Sequence, residues 1–232
     1  MGSPFWWGET AGELHVAFTS AAAGNLGSHV GSDAEENRLR LQKQMGIAPG
    51  SLRFLNQVHS ADVVDAEVPG VPTGDAWISR EAHPALAVLV ADCLPVLFSA
   101  VTSSGGRLTG AAHAGRPGLV AGILENTLEA LRREGAEQLT AWIGPGACGS
   151  CYEVPAEMHR ELTADRPALS SQTSWGTPAL NLRAEAVRVL NAAGAEVVDV
   201  AGCTIEDPQL FSHRRSQRTG EPAGRIAGVI WS

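Results

Sequence analysis

The chain has 232 residues, with 17 basic against 25 acidic side chains for a formal net charge of −8, and it is 44% hydrophobic and 18% charged. That apolar share is enough to bury a core and excludes intrinsic disorder, while 26 scattered glycines and only 4 cysteines exclude collagen-like and disulfide-scaffold classes. The acidic balance, with a single lysine (Lys43) and scattered arginines, argues against nucleic acid as a partner, and one domain spanning residues 1–232 is the natural expectation for this length.

In chain order, Glu13–Phe18 is the first strand-like run. A helix follows from about Asp33 to Met45, with Ser32 and Glu35 at the spacing of a capping box and Gly46 as its stop. Leu52–Val58, Leu86–Ala91, Val96–Ser99 and Leu108–Ala112 are short apolar runs bounded by turn residues, and they read as strands. A second helix is expected from Pro117 to Arg133, where Val120, Ile123, Leu124, Thr127, Leu128 and Leu131 fall on one face. Pro117 suits its first turn and Gly135 its end. Leu139–Ile143 is another strand, Arg166 to Pro178 a Ser/Thr/Pro-rich loop, and Leu182 to Ala193 a third helix. Glu196–Val200 and Arg225–Trp231 complete the strands. Strands and helices mix without strict alternation, which predicts an α/β or α+β fold with a mixed central sheet flanked by helices.

No run reaches the ~18 apolar residues of a membrane helix; the longest, Ala85 to Phe98, is interrupted by Asp92 and Pro95. Met1 to Trp7 lacks the charged start and apolar stretch of a signal peptide, so a cytoplasmic location with reduced thiols is expected.

Three potential metal ligands share a local context. His59, Cys93 (after Asp92) and His113 each stand just past the end of a predicted strand. If those strands are parallel neighbours, the three side chains emerge at one sheet edge, where open α/β sheets bind ligands. Taken singly, each is more simply a hydrogen-bonded strand-end residue or a small core thiol. Taken together, two imidazoles and a thiolate make a zinc set with its fourth position left to water, which the metal activates near neutral pH. After His113 comes Ala114-Gly115-Arg116-Pro117-Gly118 and then the second helix, which is either an anion seat at a helix start or merely a tight turn. Cys148-Gly-Ser-Cys151 is a lone C-x-x-C with no second such pair, and it reads as incidental thiols. Arg214-Arg215 binds an anion or is solvated, and Asp75 and Asp92 are either general acids and bases or turn residues.

Several segments together resemble a known family. They are Asn56-Gln-Val-His-Ser-Ala-Asp-Val-Val64, Ala91-Asp-Cys-Leu-Pro-Val-Leu-Phe98, Ala111-Ala-His-Ala-Gly115, Ile143-Gly-Pro-Gly, Cys151-Tyr-Glu-Val154, Cys203-Thr and Phe211-Ser-His-Arg-Arg215, with Asn25–Asp33 and Glu36-Asn-Arg38 near the start. In this order they are similar to the laccase-domain, or YfiH-type polyphenol oxidase, proteins, which are described variously as multicopper oxidases, purine nucleoside phosphorylases and peptidoglycan editing factors. The resemblance implies a single mixed α/β domain and a metal on His59, Cys93 and His113, with Arg38 near the pocket. It further implies phosphorolysis of adenosine, inosine and methylthioadenosine, with purine nucleoside and phosphate as partners, and deamination of adenosine. Zinc is the expected metal, because seven histidines do not supply the paired imidazoles of a multicopper cluster. On this reading phosphate sits on the Gly115–Gly118 turn, with Arg116 beside it, and Asp75 or Asp92 handles protons. Editing of peptidoglycan precursors and copper-dependent phenol oxidation are the alternatives. The chain departs from the family at Arg116-Pro117, where Trp-Arg is usual, and at Phe18–Gly24, which is short and lacks an arginine. Both departures are expected to reshape the substrate pocket rather than the metal cluster.

Overall fold

The computed structural model describes residues 2–80 and 82–232. Its strands are β1 (Phe5–Ala11), β2 (Leu14–Thr19), β3 (Leu52–Arg53), β4 (Val63–Asp65), β5 (Ala76–Arg80), β6 (Ala85–Val90), β7 (Leu94–Thr102), β8 (Arg107–Ala114), β9 (Ala136–Ile143), β10 (Ser170–Gln172), β11 (Pro178–Leu180), β12 (Glu196–Asp199) and β13 (Ile226–Trp231). The helices are α1 (Ala34–Met45), α2 (Arg116–Ala121), α3 (Ile123–Arg133), α4 (Ala156–Asp165), α5 (Leu182–Ala192) and α6 (His213–Thr219).

The fold is mixed α/β as expected, but its sheet is divided. A five-stranded sheet (β1-β2-β13-β6-β3) faces a six-stranded one (β12-β9-β7-β8-β5-β4), and β10-β11 forms a small ribbon. Most neighbours are antiparallel; β3–β6, β4–β5 and β9–β12 run parallel. The side-chain alternation of a strand sorts three core layers. Leu86 and Val88 of β6 meet Leu97 and Ala111 between the sheets. Ala85, Ala87 and Leu89 of the same strand turn outward, where Leu41 and Met45 of α1 cover them. On the far side Val96, Phe98, Leu108 and Ala112 pack under Ile123, Leu124 and Leu128 of α3 and Ala186, Val189 and Leu190 of α5. Strands covered on both faces have to be apolar throughout, which is why the sequence shows runs rather than alternation.

This layering positions the three candidate ligands, with His113 inside β8 rather than past its end and His59 in a loop well beyond β3. His113 follows Ala111 by two on β8 and so shares its face, toward the opposite sheet. β6 belongs to one sheet and β7 to the other, and only Ala91-Asp92-Cys93 joins them, so Cys93 lies at the crossing point. The trio therefore meets where the two sheets converge, rather than along one edge of parallel neighbours.

Other expectations shift locally. The Asp33 carboxylate accepts from Asn37 Nδ2 (3.0 Å) and makes no cap bond, so the Ser32–Glu35 box is not the N-terminus of α1. Gly46 ends that helix in the left-handed region, as expected. The second predicted helix breaks into α2 and α3 at Gly122, whose φ of 95° is left-handed. The predicted strand Leu52–Val58 pairs only over Leu52–Arg53. Beyond that, the Gln57 side chain replaces a strand by bonding both the N–H and the C=O of Leu89, each at 2.8 Å. The Arg166–Pro178 loop contains β10 and leads into β11. Helices α4 and α6 have no fully buried residue; α4 rests on the core through the half-buried pair Met158 and Leu162, too short a stripe to read in the sequence.

Candidate functional site

The donor atoms of His59, Cys93 and His113 all lie within 4.8 Å of one another. Cys93 Sγ is 3.6 Å from His59 Nε2, and the two imidazoles meet edge-on at 73°. His113 is buried at the floor while His59 is exposed at the rim.

Asp75 organises this cluster from behind. Its carboxylate has no exposure to solvent. It accepts the N–H groups of Val58 (3.1 Å), His59 (3.0 Å) and Ser60 (2.7 Å), the Ser60 hydroxyl (3.0 Å) and the His113 ring nitrogen Nδ1 (2.7 Å). Burial pushes the Asp75 pKa up, but these donors more than offset it and hold it at about 2. Three consecutive N–H groups converge on one carboxylate only if the chain curls, and His59 adopts a left-handed φ of 62° to allow it. Such a conformation costs roughly 1–3 kcal/mol, which the charge-assisted bonds to Asp75 offset.

The electrostatics follow the same arrangement. Burial would raise the Cys93 pKa, yet the charge and hydrogen bonds of His113 and His59 bring it down to about 6. Burial would lower His113, yet Cys93 and Asp75 raise it to about 9. The cluster favours thiolate, which is the metal-binding form of cysteine.

The donor set fits zinc. Zn–S and Zn–N lengths of ~2.3 and ~2.05 Å give a tetrahedral S···N edge of about 3.6 Å, and the Cys93–His59 separation is 3.6 Å. The Asp75 bond to His113 Nδ1 leaves Nε2 as the metal-facing nitrogen, the usual outer-shell support of a ligating histidine.

Asp92 borders the same space but is also committed. Its carboxylate accepts from Thr204 Oγ1 and from the Arg214 N–H, each at 2.7 Å, and its φ of 91° places it, like His59, in the left-handed region. Neither Asp75 nor Asp92 stands in the cavity as an unengaged proton carrier.

The glycines of the turn after His113 serve close approach. A Cβ on Gly115 would lie 2.6 Å from the His59 ring and 3.0 Å from Cys93 Sγ, and one on Gly118 would lie 2.6 Å from the Ser60 carbonyl oxygen. They let α2 press against the His59–Ser60 curl. Arg116 turns to Met158 Sδ (2.7 Å).

Positive charge comes instead from three other arginines. A cavity of about 580 Å³ opens over the cluster and is bordered by Arg38, Arg214 and Arg225. The Arg38 guanidinium lies 3.9 Å over the Phe54 ring and donates to the Leu26 carbonyl (2.9 Å). The Arg214 guanidinium lies 5.0 Å over Tyr152. Burial lowers the pKa of both Arg38 and Arg225. Among the described residues, neither has a carboxylate within 4.0 Å. Arg215, by contrast, is structural, since its guanidinium ties down the carbonyls of Thr204, Asp207 and Leu210. Arg38 was readable as a candidate, but Arg225, His29, Gln57 and Tyr152 were not. Arg225 immediately precedes an ordinary-looking strand, and its N–H bond to Asn25 Oδ1 (3.0 Å) together with the Leu26 N–H bond to its carbonyl (3.1 Å) ties it to the Asn25–His29 segment.

Known proteins resemble this chain over nearly its whole length. The model of a family described as multi-copper polyphenol oxidoreductase laccase matches residues 12–232. A Streptomyces coelicolor protein named purine nucleoside phosphorylase is 39% identical over 96% of this chain and 97% of its own. A Corynebacterium glutamicum protein of the same name is 39% identical over 93% of this chain and 89% of its own. A crystal structure of a Neisseria meningitidis protein superposes with a TM-score of 0.82 at 30% identity, covering 99% of each chain.

Proposed function

The chain belongs to the multi-copper polyphenol oxidoreductase laccase family, and from that membership we propose that it is a zinc-dependent purine nucleoside phosphorylase, with adenosine deamination as a second activity of the same site. The observation that carries the reading is the opening of a three-ligand cluster into a cavity bordered by Arg38, Arg214 and Arg225. Relatives named purine nucleoside phosphorylase support it.

Phosphorolysis exchanges the C1′–N9 bond of a nucleoside for a C1′–oxygen bond to phosphate. It needs an anion seat, a flat apolar wall and an electrophilic centre between them. Arg38, Arg214 and Arg225 form the seat, because guanidinium forks match phosphate oxygens and, among the described residues, none of the three is held in a salt bridge. Phe54, Val71 and Leu89 supply apolar wall for a purine, and Asn56 offers amide groups to its edge. Zinc on His59, Cys93 and His113 would supply Lewis acidity and water activated near neutral pH. Asp75 holds the proton on His113 Nδ1, so that Nε2 stays free to ligate. Asp92 fixes the start of α6 through the Arg214 N–H and so orients one arm of the anion seat.

Multicopper oxidation would need a second cluster rich in imidazole. Among the described residues the only other close donor group is Cys148, Cys151, Cys203 and Glu206, which contains none.

The test is product analysis with zinc-loaded protein. Inosine and phosphate should give hypoxanthine and ribose 1-phosphate, and adenosine should also give inosine. Product no greater than that of a Cys93→Ala control would overturn the reading, and stoichiometric copper with phenol oxidation would replace it.

A further inference from the structure

The second donor group lies outside the cavity over the first cluster. The donor atoms of Cys148, Cys151, Cys203 and Glu206 are all within 4.8 Å of one another. The four residues come from two turns of the same shape. In the first, the N–H groups of Cys151 and Tyr152 both bond to the Cys148 carbonyl, at 3.0 and 2.9 Å. In the second, the N–H groups of Glu206 and Asp207 both bond to the Cys203 carbonyl, at 3.2 and 2.9 Å. Each turn thus presents donors from its first and fourth residues. A parallel bridge between Gly146 and Cys203 sets the turns side by side. The second turn is C-x-x-Glu, so the pairing of C-x-x-C with a matching knuckle is present but is not spelled in cysteines.

The chemistry of the group asks for a cation. Cys151 is 6% exposed and its Sγ is 3.3 Å from Glu206 Oε1. Among the described residues no Lys, Arg or His lies within ion-pair distance of Glu206. Glu206 is exposed, so its carboxylate is solvated as well as hydrogen-bonded to Cys151, and what points to a cation is the convergence of three thiols and one carboxylate in a single group, a donor set suited to zinc. A disulfide would have no use for the carboxylate. Nor does the first turn open a helix as a thioredoxin-type motif does, since Glu153 bridges to Ala179 before α4 begins. Three sulfurs and one oxygen around zinc form a tetrahedron with edges of roughly 3.5–3.8 Å, and these donors already stand within 4.8 Å of one another.

We propose that Cys148, Cys151, Cys203 and Glu206 form a second, closed zinc site that clamps the turn carrying Cys93. The contacts that transmit this are explicit. The Ala147 N–H bonds to the Asp92 carbonyl at 2.8 Å, Thr204 Oγ1 bonds to the Asp92 carboxylate at 2.7 Å, and a Cβ on Gly146 would meet the carbonyl oxygens of Asp92 and Cys93 at 3.1 Å. Residues adjoining both knuckles therefore grip the Asp92–Cys93 segment. On binding, the thiols lose their protons to solvent and form Zn–S bonds with no change of oxidation state.

The test is zinc content by mass spectrometry on the desalted full chain, with alkylation of its thiols under denaturing conditions. The wild type should carry about two zinc ions per chain, and Cys203→Ser and Cys93→Ala about one each. Cobalt loaded into Cys93→Ala should show thiolate-to-cobalt charge transfer of three-sulfur intensity, which reads the second site even if Cys203→Ser fails to fold. A wild type with about one zinc ion that Cys93→Ala removes, cobalt without thiolate absorption in Cys93→Ala, or a disulfide recovered among Cys148, Cys151 and Cys203 would each overturn the proposal.

Discussion

The two donor clusters of this chain differ in what surrounds them. His59, Cys93 and His113 come from a curled loop, a sheet-to-sheet crossing and a strand end, and they face a cavity of about 580 Å³. Cys148, Cys151, Cys203 and Glu206 come from two matched turns that face each other. Three ligands leave one position of a tetrahedral metal open to the cavity, whereas four protein ligands would fill it. The supports differ too. Asp75 stands behind the first cluster with five accepted hydrogen bonds, while the second is held by backbone turns. Asp92 lies between them, gripped by Thr204 on one side and followed by Cys93 on the other.

Substitutions can break this contrast in order of expected effect. Cys93→Ala removes a ligand of the open site. With metal electrophilicity worth several kcal/mol, phosphorolysis should fall about 1,000-fold or more, and zinc content should fall with it. Asp75→Asn keeps the shape but removes the charge behind His113. Loss of an outer-shell carboxylate typically costs about 10–100-fold in metal affinity or activity, and a zinc titration alongside kcat measures both. The same residue gives a pH signature. Its folded pKa is lowered to about 2, against ~3.9 when unfolded, so its stabilisation is complete above about pH 4. That stabilisation drains away as the pH falls toward 2, and denaturant melts of wild type and Asp75→Asn should converge over this window.

Arg225→Gln should raise KM for phosphate about 10-fold, from loss of one charge-assisted bond worth about 1.5 kcal/mol, with KM for the nucleoside little changed. An equal rise in both constants would put the phosphate elsewhere. Thr204→Val, at the junction, should have the smallest effect: about 1 kcal/mol of stability, or roughly 2–4 °C in Tm for a chain of this size, with a few-fold loss of kcat. An unchanged kcat would uncouple the second cluster from the first.

Much of the open cluster was legible in the sequence, because His59, Cys93 and His113 each follow an apolar run. The reason they meet was not legible: it depends on β6 and β7 belonging to opposed sheets, which no local pattern encodes. The closed cluster was hidden by residue type, since Glu206 stands where a fourth cysteine would have completed a recognisable pair. The glycines after His113 were legible as special positions, but a glycine that admits an anion and one that admits a neighbouring ring look alike in sequence. Only the contacts of Gly115 with His59 and Cys93 separate the two. Helices α4 and α6 escaped because neither fully buries a residue, α4 touching the core only with the half-buried Met158 and Leu162.

The most direct test is diffraction from crystals grown with phosphate, recorded above and below the zinc absorption edge. The account predicts an anomalous peak among His59, Cys93 and His113 whose remaining side faces the arginine-walled cavity, and a separate peak enclosed by Cys148, Cys151, Cys203 and Glu206. The absence of a peak at the first cluster, or a fourth protein ligand closing it, would contradict the assignment of that cluster as the reactive centre.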